Sequence, residues 1–545
     1  MPRSQSGLKS GIQVANHAST AYALLCTRDE SLAARFQILH PAATCSEPAP
    51  GLRCLAAGLA TPALRRINGS ALEARAALEG ARFAASADFW GLQNHYFLHQ
   101  DGTFAASDDI FTLKALLGSP RLDHEALLES LFFTAPLGSR TWFQDVRCLL
   151  PGQALRFDAV ADHLELDTGT DFSAWFDEPG GTLLEEARAF YQDQRRLLGD
   201  TPAHLSLSAG SDSRAILAGL RHFEFTCKGF CFGGRNYLEK DKVAELARRL
   251  GLEFGFIELT DYEQQFEANF SEGMRLSNGY LNPLRTHYLE YYRKLPATGV
   301  FFEGILGSEF VKGEISWPTM TSKPMKQVIA DGRPVDEVVA TNFPELEKSL
   351  RRELATYVQD VHGALLTSVN APGGSRAYSE FAFRFIPRRI FAGVVPLVQV
   401  RMPVVYPYLH PPLLRAVFQA GHGIRHSSSL DRRFPTALKS IVPEASIVQA
   451  FDTTIFGMRL DRGISYRQAL YPRALGSAIR AFNLLLERAL QDRSKFPGQI
   501  DNARIIQRVG ALADGLEQPV VAARKPGGNL ELARQLVSYD LIQRL

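Results

Sequence analysis

This chain is poor in cysteine, in charge of either sign to excess, and in long apolar runs. Its six cysteines, Cys26, Cys45, Cys54, Cys148, Cys227 and Cys231, are few for 545 residues and show no paired metal-ligand spacing. That argues against a metal module and for a reducing cytosol. Cys227 and Cys231 stand among Phe225, Phe230 and Phe232 and read as buried thiols. Lys plus Arg number 60 against 58 Asp plus Glu, so the chain as a whole offers no field for nucleic acid or anionic lipid. The start, Met1-Pro2-Arg3-Ser4, lacks the apolar core of a signal peptide. The most apolar later run, Ile390 to Val400, is broken by Pro396 and is too short to span a bilayer. No internal repeat or low-complexity tract is present. The expectation is a soluble cytoplasmic protein with neither a nucleic-acid nor a membrane partner.

What is present is ordinary globular composition, 46% apolar and 22% charged, in a chain too long for one core. Two domains are expected, 1–175 and 176–545, the second ending in a helical part. From about 80 to 160 the texture is short strands: Tyr96 to Leu98 and Thr103 to Ala106 around a Gln100-Asp101-Gly102 turn, and Ala154 to Phe157 after Leu149-Leu150-Pro151-Gly152. Helices are expected at Ile110 to Leu117 and His124 to Phe132. Glu178-Pro179-Gly180-Gly181 reads as a linker, after which Thr182 caps a helix from Leu183 to Leu198. Strand and helix then alternate: strands at Leu205–Leu207, Phe223–Phe232, Phe254–Leu259 and Gly299–Phe302, with a helix from Glu239 to Leu250 closed by Gly251. Such alternation implies right-handed crossovers and a parallel sheet. From 340 to 440 and again beyond 460 the chain reads as helical, with a late turn at Lys525 to Asn529 and a closing helix from Leu530 to Leu545.

The chemically distinctive stretch is Leu205 to Leu220, LSLSAGSDSRAILAGL. It reads as strand, small-residue loop and helix. The loop can turn backbone N–H groups toward a ligand beside a helix N-terminus carrying roughly half an elementary charge, with Ser208, Ser211 and Ser213 adding hydroxyls. That describes an anion cradle, most naturally for phosphate. No Gly-Lys-Ser/Thr follows it and no spaced three-glycine fingerprint is present, so it is neither a Walker loop nor a dinucleotide turn.

The loop resembles the pyrophosphate loop of the asparagine synthetase family, Ser-Gly-Gly-x-Asp-Ser, with Ser208, Ala209, Gly210, Ser211, Asp212 and Ser213 in those places. The resemblance implies an α/β fold: a parallel-sheet PP-loop synthetase domain behind an N-terminal nucleophile hydrolase-like α+β sandwich. It implies that ATP and Mg²⁺ are used to adenylate a small-molecule or peptide carboxylate, which an amine donor or ammonia then attacks. The nucleotide would be held by Leu207, Ser208, Ala209, Gly210, Ser211, Asp212, Ser213 and Gly304, with adenine against Phe232. Asp212 and Glu309 would hold metal, and Asp212, Glu309 and Arg401 would serve catalysis.

The segment Glu303 to Gly313 resembles the family's Ser-Gly-Glu-Gly-x-Asp-Glu-x-Phe-x-Gly, with Gly304, Glu309 and Gly313 matching, while Ile305 and Ser308 replace acidic residues. Lys312 reads either as a cation near the phosphates or as a surface lysine. Val398 to Pro403 resembles Leu-Glu-x-Arg-x-Pro, keeping Arg401 and replacing the glutamate with Gln399. The family's late pyrophosphate lysine has no counterpart in Phe451 to Gly457, which leaves Arg432, Arg433 or Lys439 to compensate. Free aspartate is the family's default substrate. Ring-closing relatives of β-lactam synthetase or lasso-peptide cyclase type, sugar carboxylate amidation, and a nucleotide-binding relative without catalysis are the alternatives.

Glutamine hydrolysis in this family uses a cysteine at the mature N-terminus, where thiolate and α-amine act together. Pro2 follows Met1, and the first cysteine is Cys26. The purified protein is therefore expected to release no glutamate from glutamine; robust glutaminase turnover would contradict the reading.

Overall fold

Period-two alternation gives the N-terminal strands two apolar faces, and both are used. The computed structural model describes residues 22–57, 75–118, 120–260, 262–313, 323–329, 331–370, 375–399, 401–424, 441–461, 463–490, 502–514 and 530–545. Met1 to Ser4, Val400, Arg432, Arg433, Lys439 and the Lys525 to Asn529 turn lie outside the described residues. The first ten strands are β1 (Ala23–Thr27), β2 (Thr44–Ala49), β3 (Leu52–Ala57), β4 (Arg75–Glu79), β5 (Arg82–Ser86), β6 (Tyr96–Gln100), β7 (Thr103–Ser107), β8 (Arg147–Cys148), β9 (Ala154–Asp158) and β10 (His163–Leu166). They form a six-stranded sheet in the order β2-β3-β1-β7-β6-β8 and a four-stranded sheet in the order β10-β9-β5-β4. All pairings in both sheets are antiparallel.

Leu24, Cys26 and Phe104 of the larger sheet share a core with Phe83, Leu155 and Phe157 of the smaller one. The rings of Phe104 and Phe157 stack with centroids 4.1 Å apart. The alternate residues Leu25, Leu55 and Leu98 belong to the other core, with Phe36 of α1 (Glu30–Leu39), Leu113 of α2 (Ile110–Leu117) and Leu127 of α3 (His124–Phe133). The β6–β7 hairpin turns through Asp101 and Gly102, both at positive φ, as its sequence requires.

After α4 (Phe172–Asp177) and the Glu178–Gly181 linker comes α5 (Leu183–Leu198), whose Thr182 and Glu185 form a reciprocal capping box. There follow β11 (Ala203–Ser206), α6 (Ser211–His222), β12 (Cys227–Gly233), α7 (Glu239–Leu250), β13 (Glu253–Glu258), α8 (Phe266–Leu276), α9 (His287–Arg293), β14 (Val300–Phe302) and β15 (Val404–Val405). They build a parallel sheet in the order β13-β12-β11-β14-β15. β12 begins later than the sequence reading from Phe223 suggests. The chain at 223–226 instead finishes α6: Glu224 turns at φ 56° and the Phe225 N–H bonds the Leu220 carbonyl at 2.9 Å.

The strand order carries a consequence for function. The chain steps outward from β11 to β12 and β13, then returns to lay β14 on the other side of β11. The loops leaving β11 and β14 therefore part in opposite directions, and the crevice between them is where open α/β sheets bind ligands.

The sandwich is tied to this sheet by buried polar groups. Trp90 is fully buried, and its Nε1 donates to the Leu409 carbonyl at 2.7 Å. Arg388 and Arg389, at 1% and 2% exposure, both reach across to the Gly138 carbonyl and to Cys148 Sγ. Burial alone would raise the Cys148 thiol, but the two guanidinium groups hold it below the usual thiol range. Among the described residues no helix is long and apolar enough to cross a membrane.

Trp90→Ala removes a buried indole and the donor to Leu409, and is expected to cost about 3–5 kcal/mol in urea denaturation. A loss below about 1 kcal/mol, the range of a lone hydrogen bond, would show that the two halves do not lean on this ring.

Candidate active site

At the end of β11 the chain buries Leu207 and Ala209, which pins the loop between them against the core. α6 then starts at Ser211 with Gly210 as its cap, and no side chain caps it. Loop hydroxyls take up some of the loop's own donors: Ser208 N–H bonds Ser213 Oγ at 3.0 Å and Gly210 N–H bonds Ser208 Oγ at 3.1 Å. Ala209 N–H points at Glu239 Oε2, 3.4 Å away, and Tyr237 OH donates to the same oxygen at 2.9 Å.

Asp212, in the first turn of α6, is the centre of the site. Its Oδ2 accepts from Lys312 Nζ at 2.8 Å and from Ser308 Oγ at 3.2 Å. Lys312 Nζ also donates to Ser211 Oγ at 3.2 Å, and its side chain is only 2% exposed. Tyr408 OH bonds the Asp212 carbonyl at 2.8 Å, and Tyr466 OH bonds the Ser211 carbonyl at 2.5 Å. The segment after β14 thus folds back onto the loop after β11. Its shape is demanding. Leu306, fully buried, holds φ 67°, and a Cβ on Gly307 would lie 2.2 Å from Asp212 Oδ1 and 2.8 Å from the Tyr408 ring. Gly304 lies beside Asp212 Cβ, with room for ordinary contact.

Two further carboxyls, Glu444 and Glu309, lie near this ammonium, and Glu303 is buried at the end of β14. Glu444, on the helix Val442–Phe451, is fully buried; burial first and Asp212 second push its carboxyl well above the usual range, against Lys312. Burial raises Glu303 to about 7, although Gly304 N–H and Tyr292 favour its ionised form. Burial and then Asp212 raise Glu309 to about 7, opposed by Lys312 and Arg285. The Lys312–Asp212 ion pair therefore has Glu309 and Glu444 beside it, both pushed toward their protonated forms.

The expected nucleotide residues from Leu207 to Ser213, together with Gly304, Glu309 and Lys312, come together here. Phe232 and Arg401 do not join them. The Phe232 ring is 1% exposed and stacks on Tyr291 at 4.0 Å between centroids, so it is a wall of the core with no open face for a base. Arg401 is exposed and donates from Nε to the Leu295 carbonyl at 2.9 Å. Both residues precede their strands, β15 and β14, so Arg401 stands at the opposite edge of the sheet from the loop. The Phe451–Gly457 stretch serves as structure: Asp452 caps the helix Thr453–Gly457 and pairs with Arg221 at 2.8 Å.

Asp212 and Glu309, the residues expected to hold metal, lie close enough for Asp212 to add to burial in raising the Glu309 carboxyl. An ammonium stands on Asp212 where the ion was expected, and no group of three or more His, Cys, Asp or Glu side chains placed to hold a metal occurs among the described residues. Glu444, Tyr408, Tyr466 and Arg214 were not found from sequence. Arg214 is 3% exposed and donates to the Arg459 carbonyl at 2.6 Å. The one signal for Glu444 is a carboxylate opening an otherwise apolar helix turn.

No family model matches this chain, and no curated protein matches it.

The raised carboxyls give a signed pH dependence. Glu303 and Glu309 keep protons in the folded state at pH values where the unfolded chain has lost them, so stability falls as pH rises from about 4.5 to about 7. Glu303→Gln and Glu309→Gln are each expected to flatten that fall in urea midpoints measured across the interval. An unchanged slope in both variants would contradict burial as the cause.

Proposed function

We propose that this protein is an asparagine synthetase-like, AMP-forming carbon–nitrogen ligase, and that the crevice between β11 and β14 is its ATP site. In this reading the five-stranded sheet is a PP-loop synthetase domain and the preceding sandwich is a degenerate nucleophile hydrolase-like unit. The observation that carries the proposal is the buried Lys312 bonded to both Ser211 and Asp212 at the start of α6, at the point where strand order reverses. Backbone torsion adds support. The family pattern puts a glycine at the position of Leu306, and the chain runs there at φ 67°, a region glycine favours.

A substrate carboxylate oxygen attacks the α-phosphorus of ATP, the bond to the β-phosphate breaks, and pyrophosphate leaves toward the Ser208–Ser213 loop. Lys312 and the α6 N-terminus stabilise the charge on that leaving group. An amine or ammonia nitrogen then attacks the acyl carbon, forming the C–N bond as the bond to AMP breaks. Glu303 or Glu309, poised near neutrality, accepts the proton the nitrogen gives up. Mg²⁺ belongs to this proposal as the ion that accompanies ATP, and no step is assigned to it. Glutamine hydrolysis has no place here, because Cys26 lies buried in β1 opposite Cys54.

The carboxylate is free aspartate in the simplest case, or a substrate that closes a ring on its own amine. A second reading, nucleotide binding without catalysis, is favoured by one observation: Asp212 already engages Lys312 and Ser308.

Pyrophosphate release should appear with one member of a carboxylate panel, aspartate with ammonia included. Asp212→Ala and Lys312→Met should each lower it by about 10²-fold or more with an unaltered circular dichroism spectrum. Turnover insensitive to both changes would remove the site. ATP binding with no pyrophosphate from any carboxylate would select the non-catalytic reading.

A further inference from the structure

All six cysteines lie among the described residues as free thiols, and two of them face each other inside the sandwich. Cys26 of β1 and Cys54 of β3 are direct partners in the antiparallel register, each 1% exposed in the core between the two antiparallel sheets. Their Sγ atoms lie 2.8 Å apart. Directly opposed residues on antiparallel strands hold their Cα atoms about 4.5–5.5 Å apart, within the roughly 4.4–6.8 Å that a disulfide spans. A disulfide sets its sulfurs at about 2.05 Å, so a travel of under about 1 Å closes the bond while the strands keep their register.

The other cysteines are placed differently. Cys45 is exposed on β2 opposite Leu55, and the residue of β2 that shares a register position with Cys54 is Ser46. Cys227 and Cys231 stand four residues apart on β12, about 13 Å along a strand, and burial raises both thiols to about 12. Cys148 Sγ is held by the Arg388 and Arg389 guanidinium groups. Between Cys26 and Cys54 a shared hydrogen bond lowers the Cys54 thiol against the effect of burial, while the same bond and then burial raise Cys26. Cys54 is therefore the readier nucleophile of the two.

We propose that Cys26 and Cys54 are a redox-active dithiol, closed to a disulfide by hydrogen peroxide and reopened by a thiol reductant. The Cys54 sulfur attacks one peroxide oxygen, the O–O bond breaks, and the departing hydroxide takes the thiol proton as water, leaving a sulfenic acid on Cys54. The Cys26 sulfur then attacks the Cys54 sulfur, the S–O bond breaks, and hydroxide leaves with the Cys26 proton as a second water. Two electrons pass from the thiols to the peroxide. The new bond closes the segment that carries α1 and β2, fastens β3 to β1, and restricts the unfolded chain.

The full chain, purified in reduced form, is treated while folded with hydrogen peroxide, then quenched, unfolded and alkylated with iodoacetamide. Peptide mass mapping is expected to show Cys26 joined to Cys54, with both thiols restored by dithiothreitol. The cross-link should persist in Cys45→Ser, which removes the exposed competitor. The oxidised wild type should melt about 4 °C or more above the reduced form, a rise absent in whichever of Cys26→Ala and Cys54→Ala folds. Alkylation of both residues, their conversion to sulfinic or sulfonic acid, a bond from either to another cysteine, or an oxidised chain that melts no later than the reduced one would each overturn the proposal. The mass map needs no variant and no nucleotide, so it reads the same whether or not the chain turns over ATP.

Discussion

One buried ion pair governs the arrangement of the second half of this molecule. Lys312 brings an ammonium to the positive end of α6, a place where a cation by itself is unwelcome. Asp212 in the first turn makes it tolerable by setting a carboxylate oxygen 2.8 Å from the ammonium. A pair of this kind, Lys312 buried and Asp212 half-buried, is a poor source of net stability but a strict constraint on geometry. The neighbours obey the same constraint. With Asp212 carrying the negative charge, Glu444 and Glu309 cannot also ionise cheaply, and both are pushed toward their protonated forms.

The sheet order explains why the partners come from residues 100 positions apart. Because β14 returns beside β11, the two segments that leave their C-terminal ends share one crevice, and each supplies half of the pair. Tyr408 comes from the turn just after β15, the next strand out, and Tyr466 from the helical region beyond it; both hydroxyls fix backbone carbonyls of the first turn of α6. The loop is thus held by its backbone, which leaves the side chains of Ser208, Ser211 and Ser213 to order its donors.

Much of this is legible in the sequence. Ile110–Leu117, Glu239–Leu250 with Gly251, and the Thr182 cap appear where periodicity and capping chemistry put them, because those signals are local. The small-residue loop was legible for the same reason. What could not be read depends on the third dimension. Whether Lys312 is a surface cation or the partner of Asp212 is decided by a crossover. Whether Phe232 offers a face to a ligand is decided by Tyr291, which covers it. Arg401 sits in a familiar pattern, yet strand direction sends it to the far edge. Leu306 shows the converse, since the letter in the sequence departs from glycine while the backbone keeps a glycine's torsion.

The Trp90 indole reaches toward the crevice through the residue its hydrogen bond meets. Leu409, which receives it, follows directly on Tyr408, whose hydroxyl steadies the first turn of α6. The β-sandwich is thereby a keystone for the crevice: a tilt of one unit against the other would reach Asp212 through Leu409, its neighbour Tyr408 and one hydrogen bond. The sandwich therefore has a mechanical reason to be kept, and excising it would leave the crevice without its abutment.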